Sequence, residues 1–212
     1  MARALVSVIV VAVVFAVATP ISYSIPFILV HGLTGQCESP DPFIGNLSAW
    51  SGSPGCCIEV GDGKCDSAFM SLEKQTNILC QKVKEMEELK EGYNIVATSQ
   101  FSQQLICSSF AESVKRWVYT DCLQDRLAPS GYLKIPTAIP EYLKGSKFLP
   151  KLNNERPNER NPTYKERFSS LNTLVLIMAE NDTVLIPKET SWFGYYQDGG
   201  FATVLPPQKV LQ

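Results

Sequence analysis

Residues 26–30, Pro26-Phe27-Ile28-Leu29-Val30, carry no polar side chain, and the run stops at His31-Gly32. A strand that is apolar on both faces must be covered on both, as strands are in a parallel sheet flanked by helices. Tyr93-Asn94-Ile95-Val96-Ala97 is a second strand candidate, and Cys57-Ile58-Glu59-Val60 a third. The most apolar run is Leu174-Val175-Leu176-Ile177-Met178, which reads as a buried strand ending at Ala179-Glu180-Asn181-Asp182. Helical periodicity lies between these runs. Leu72, Thr76, Leu79, Val83 and Met86 recur on one face, and Gly92 closes that helix. Leu105, Ile106, Phe110, Val114, Trp117 and Val118 mark another. Strands alternating with helices predict an α/β fold with a mainly parallel sheet and helices on both faces. Residues 35–63 are rich in Gly, Ser, Pro and Cys and read mostly as loop. Residues 129–165 read as a cap or insertion on a domain spanning 25–212.

The N-terminus sets the compartment. Met1-Ala2-Arg3 is a short positive start, an apolar run follows to Val17, and Ala16-Val17-Ala18 has the small-x-small pattern of a cleavage site. Residues 1–18 are therefore expected to be a secretory signal peptide. The run is shorter than the roughly 20 residues a spanning helix needs, and Pro20 follows it, so no transmembrane segment is expected after cleavage. The seven cysteines, at 37, 56, 57, 65, 80, 107 and 122, are an odd number, and some of them are expected to pair in an oxidising lumen. Asn46-Leu47-Ser48 and Asn181-Asp182-Thr183 are glycosylation acceptors. A net charge of −2 without a long basic run argues against nucleic-acid binding.

Three strand ends carry residues suited to acyl transfer, where open α/β sheets place their ligand sites. His31-Gly32-Leu33 is a glycine turn that can aim backbone N–H groups at a developing oxyanion. Ser99 follows a strand and precedes a helix, the setting of a nucleophile elbow. Asp182 follows the last apolar run, where it could orient a histidine. Each has a plainer reading: a loop histidine, a helix N-cap serine, a turn aspartate.

The motifs carry further. Residues 25–32 (Ile-Pro-Phe-Ile-Leu-Val-His-Gly), 91–96 (Glu-Gly-Tyr-Asn-Ile-Val) with Ser99-Gln100, and 124–132 (Gln-Asp-Arg-Leu-Ala-Pro-Ser-Gly-Tyr) are joined by two more. These are 148–155 (Phe-Leu-Pro-Lys-Leu-Asn-Asn-Glu), and Asn181-Asp182-Thr183 with 191–196 (Ser-Trp-Phe-Gly-Tyr-Tyr). In these stretches, about residues 25–100 and 119–208, the chain resembles the palmitoyl-protein thioesterase family, in particular its plant members. The resemblance implies an α/β-hydrolase-like fold that hydrolyses long-chain acyl thioesters on cysteines of S-acylated proteins or peptides. It implies Ser99 as nucleophile, Asp182 as triad acid, and the N–H groups of Leu33 and Gln100 as oxyanion hole. It implies no metal or organic cofactor, and a lysosomal, vacuolar or extracellular location.

The sequence also departs from that pattern. The elbow reads Ala97-Thr98-Ser99-Gln100-Phe101 where the family has Gly-x-Ser-Gln-Gly, so a large ring replaces a glycine. Residues 101–118 carry no recognised family motif, and the strand that follows the nucleophile helix is missing. The family's histidine lies beyond the counterpart of Pro206-Pro207, and the one histidine here is His31. The expected fold is therefore an incomplete hydrolase, with an internal segment and the C-terminal part missing as in a splice variant or partial gene model. Weak or no activity is expected, because a serine without a base is a poor nucleophile. Two other readings compete: a non-catalytic acyl-chain or partner-binding protein on the same scaffold, and a small disulfide-stapled secreted protein.

Overall fold

The computed structural model describes residues 24–98, 117–182 and 185–207. The proposed signal peptide, Ser99, Gln100, Phe101, Cys107, the helical run through 105–116 and Thr183 lie outside these residues. The sheet is built on β1, Phe27–Val30. It pairs in parallel with β2, Gly55–Cys57, on one side and with β3, Asn94–Ala97, on the other. Phe27, Ile28 and Leu29 are all buried, as a central strand covered on both faces requires. Gly55 is needed where it stands: a Cβ there would lie 2.0 Å from the Phe27 ring, which packs over that backbone. The strand expected at 57–60 thus starts and ends earlier. Ile58 still donates its N–H to Leu29 O at 3.1 Å, so the ladder continues one step past β2.

Residues 35–63 are mostly loop outside β2, but they also hold a helix the composition did not suggest, α1, Pro42–Ser51. Its ends are well specified. Asp41 accepts from the N–H groups of Phe43 and Ile44, Pro42 opens the first turn, and Gly52 closes the helix at φ 69°. The short α2, Lys64–Phe69, is tied to α3, Leu72–Glu85, by buried Gln75. The Gln75 amide donates to the carbonyls of Ser67 and Met70 at 3.1 and 2.9 Å. Leu79 and Val83 of α3, with Met86, pack on Ile28, Ile58 and Leu89 to make the core beneath the sheet. The helix stops at Met86 rather than at Gly92, and a 3-10 turn at Glu87–Leu89 follows. Gly92, at φ 121°, turns the chain into β3 instead. Thr76 faces solvent, so the buried face of α3 is narrower than the periodicity implied.

After residue 117 the chain is mostly short helices: α4, Asp121–Gln124; α5, Ala128–Tyr132; α6, Ile139–Gly145; α7, Leu149–Leu152; and α8, Pro162–Ser169. Buried polar groups hold them together. Gln124 donates to Val118 O and Ser130 O at 2.7 and 2.8 Å and accepts the Lys147 N–H at 2.8 Å. Arg156 donates to Leu143 O and Ser146 O, both at 2.6 Å, closing the end of α6. Asn154 accepts the Asn161 N–H at 2.7 Å, and Asn161 caps α8. The hydroxyl of Tyr195, on the two-residue strand β4 (Tyr195–Tyr196), donates to Lys134 O. β4 pairs antiparallel with β5, Val204–Leu205.

The buried strand expected at 174–178 does not form. These residues lie outside regular structure, and Leu174, Val175, Leu176 and Ile177 are 48, 74, 37 and 86% exposed. A strand needs a ladder neighbour to satisfy its backbone, and apolar propensity cannot replace one. Among the described residues, β3 is an outermost strand of the parallel sheet, with Ile95 exposed. The fold class is nonetheless α/β, with a parallel sheet and flanking helices.

Candidate active site

The site grows out of the β1–β3 ladder. Parallel pairing sets Val30 opposite Ala97, and the Thr98 N–H then donates to Val30 O at 3.2 Å. The carboxyl ends of both strands are thereby level, with His31-Gly32-Leu33 leaving one and Thr98 ending the other. The residue after Thr98 is Ser99. The turn after β1 is tight. Gly35 donates its N–H to Gly32 O at 2.9 Å, and Thr34 sits at φ 58°. A Cβ on Gly35 would lie 2.8 Å from Gly32 O, so a glycine is required for that closure. Leu33, the predicted oxyanion donor, lies inside this turn.

His31 is 7% exposed. Its Nε2 is 2.7 Å from Glu59 Oε1, and its Nδ1 is 3.1 Å from Gly32 O. Both ring nitrogens thus face acceptor oxygens, and which of them donates depends on the tautomer. The other Glu59 oxygen accepts the Cys37 N–H at 2.7 Å. A disulfide between Cys37 and Cys57 joins the same loop to β2. Glu59 was read from sequence only as part of a strand. Its position at the carboxyl end of that strand, level with His31, was the available signal.

Asp182 is half-buried at the far end of the exposed apolar run. Its N–H donates to Ala179 O at 3.2 Å, and its Oδ1 accepts the Leu185 N–H at 3.0 Å, so the carboxylate helps shape its own turn. The structure thus brings the His31–Leu33 loop to the end of the strand that leads into Ser99. It sets Asp182 after a segment that has joined no sheet.

A three-stranded parallel sheet with flanking helices and a tight glycine turn at the carboxyl end of its middle strand defines an α/β protein. The family model for palmitoyl protein thioesterase matches residues 101–210 of it. Palmitoyl-protein thioesterase 3 of Dictyostelium discoideum is 30% identical over 91% of this chain and 77% of its own length. The chain belongs to the palmitoyl-protein thioesterase family, a family of thioester hydrolases. Palmitoyl-protein thioesterase 1 of Caenorhabditis elegans is 31% identical over 65% of the chain, which spans 58% of the worm protein. Lysosomal thioesterase PPT2-B of Xenopus laevis is 38% identical over 39% of the chain and 28% of its own length. The family match includes residues 101–118, where no family motif was recognisable from the sequence, and so corrects that reading. The Dictyostelium alignment runs over 230 positions, more than the 212 residues here, so it opens gaps in this chain.

Proposed function

We propose that this chain carries the substrate-handling scaffold of a palmitoyl-protein thioesterase, with long-chain acyl thioesters on protein cysteines as its substrate class. In this reading Ser99 is the nucleophile, Asp182 the triad acid, and the N–H groups of Leu33 and Gln100 the oxyanion donors. The observation that carries it is the level ending of β1 and β3. That ending sets the glycine turn beside the strand leading into Ser99, in a chain of this family. Residues 129–165 form a cap or insertion on the domain, and residues 1–18 direct the chain into the secretory pathway. A lysosomal or vacuolar destination accords with the lysosomal thioesterases among its relatives.

Turnover by these 212 residues alone is weak or absent. Their one histidine is His31, and its Nε2 faces the Glu59 carboxylate at 2.7 Å. Losing one triad member leaves only about 10³–10⁴-fold catalysis over water in serine proteases. The same observation favours a second reading, in which the scaffold holds an acyl chain or an acylated partner without cleaving it.

The test is hydrolysis of a palmitoyl-peptide thioester by the folded chain, with Ser99→Ala and His31→Ala alongside. We expect trace turnover that Ser99→Ala removes. No acylation of Ser99, together with tight binding of a fluorescent fatty acid, would favour the binding reading. Neither acylation nor binding would sink both.

A further inference from the structure

Glu59 is the most engaged charged side chain near the proposed site, and nothing in the triad chemistry needs it. Its backbone is set by the sheet, since Ile58 just before it donates to Leu29 O. Lys82 of α3 donates to the Glu59 carbonyl at 2.8 Å, which fixes it from the other side. Its carboxylate then reaches across to the loop after β1 and holds it at two points. One oxygen takes His31 Nε2 at 2.7 Å, and the other takes the Cys37 N–H at 2.7 Å. Those two points bracket the turn from Gly32 to Gly35, so Leu33 lies between them.

We propose that Glu59 is a positioning residue for the oxyanion hole: it grips both ends of the 31–37 loop and so fixes the Leu33 N–H. The proposal rests on the hydrolase reading given above. A carboxylate suits the task because it presents two acceptors to two N–H donors. An amide would turn an NH2 group toward one of them and lose that bond. The Cys37–Cys57 disulfide fixes the loop at Cys37 from β2 as well. Glu59 adds a hold nearer the other end, at His31.

Glu59→Gln, which keeps the volume, tests this in the full chain. Two readouts are needed, amide hydrogen exchange and the rate at which a long-chain fluorophosphonate labels Ser99. We expect exchange at residues 33–37 to rise at least tenfold, while amides of α6 stay within twofold. Labelling is expected to slow at least tenfold in its maximal rate, with the probe's half-saturating concentration little changed. Unchanged exchange in the loop would overturn the proposal. So would a uniform rise across the chain, which marks a general stability role only, or a change confined to probe binding. If the wild-type chain is not labelled at all, the hydrolase reading fails and takes the oxyanion role with it. That failure is distinguishable, because the loop exchange still responds to the substitution. Glu59→Asp is the second variant should Glu59→Gln not fold. Its shorter side chain can keep one of the two bonds, and an intermediate loop exchange rate is expected. A wild-type rate would count against the proposal.

Discussion

Phe27-Ile28-Leu29-Val30 and Leu174-Val175-Leu176-Ile177 are nearly interchangeable as sequences, yet they have opposite fates. The first is the middle strand of the parallel sheet, with Ile28 1% exposed. The second lies outside any strand, with Ile177 86% exposed. The difference lies in the neighbours. β1 has Gly55–Cys57 on one side and Asn94–Ala97 on the other, so its backbone groups are paired and both its faces covered. Among the described residues, 174–177 meets no strand, although the Trp192 indole donates to Leu176 O at 3.2 Å. Strand propensity describes a side chain's fit to a sheet already present.

The largest expected effect tests this contrast directly. Ile28→Ala opens a cavity under β1 and is expected to cost about 2–5 kcal/mol. Ile177→Ala removes exposed surface and is expected to cost less than about 0.5 kcal/mol. Urea unfolding of the two variants measures both. Equal losses would mean that residues 174–177 are buried in solution and that the contrast is wrong. Next comes the disulfide. Replacing Cys37 and Cys57 by serine frees a loop with a sequence separation of 20 residues. On the chain-entropy account this costs about 3 kcal/mol. The loss should appear first as faster hydrogen exchange around β1, which would localise the disulfide's action to the sheet end.

The third prediction separates the sheet from the helical region after residue 117. Burial pushes the phenols of Tyr119, Tyr142 and Tyr195 well above the ordinary tyrosine range. A neighbouring Glu155 adds to the effect at Tyr142. The folded state thus binds these protons more tightly than the unfolded state does. The stability they contribute is whole below about pH 10, the unfolded tyrosine value, and falls as pH rises above it. Exchange protection in 117–207 should therefore fall in alkali before that of the sheet. Loss of protection in β1 first would reverse the assignment of the weaker region.

Much of the sheet was legible because its signals are local. Apolar runs gave β1 and β3, and the glycine after β1 marked the tight turn that follows it. α1 was missed although its ends were written plainly, with Asp41-Pro42 opening it and Gly52 closing it. The Gly, Ser and Pro content around it masked those caps. Glu59 was invisible as a site residue, because its role depends on reaching a loop that leaves a different strand. The run at 174–178 misled for the complementary reason. Its own side chains are those of a buried strand, and only the tertiary setting withholds its partners. The motifs at 124–132 and 148–155, used to recognise the family, turn out to hold structure: Gln124, Ser130 and Asn154 are hydrogen-bonded to backbone between the short helices.

The smallest expected effect sharpens the opening comparison most. If residues 174–177 are exposed and contribute little, then Val175→Lys together with Ile177→Lys should leave the unfolding midpoint almost unchanged, within about 0.5 kcal/mol of wild type. The same change should reduce self-association and binding of a hydrophobic dye. An exposed apolar run is the kind of surface that recruits another chain. Lysine is a residue that natural edge strands use to discourage such pairing. Light scattering at rising protein concentration reads the effect without reference to activity. Lower scattering at equal stability would place the apolar run outside the folded core. A double variant that fails to fold would show instead that the core depends on these residues, and that the sequence pattern described 174–178 better than the unpaired arrangement does.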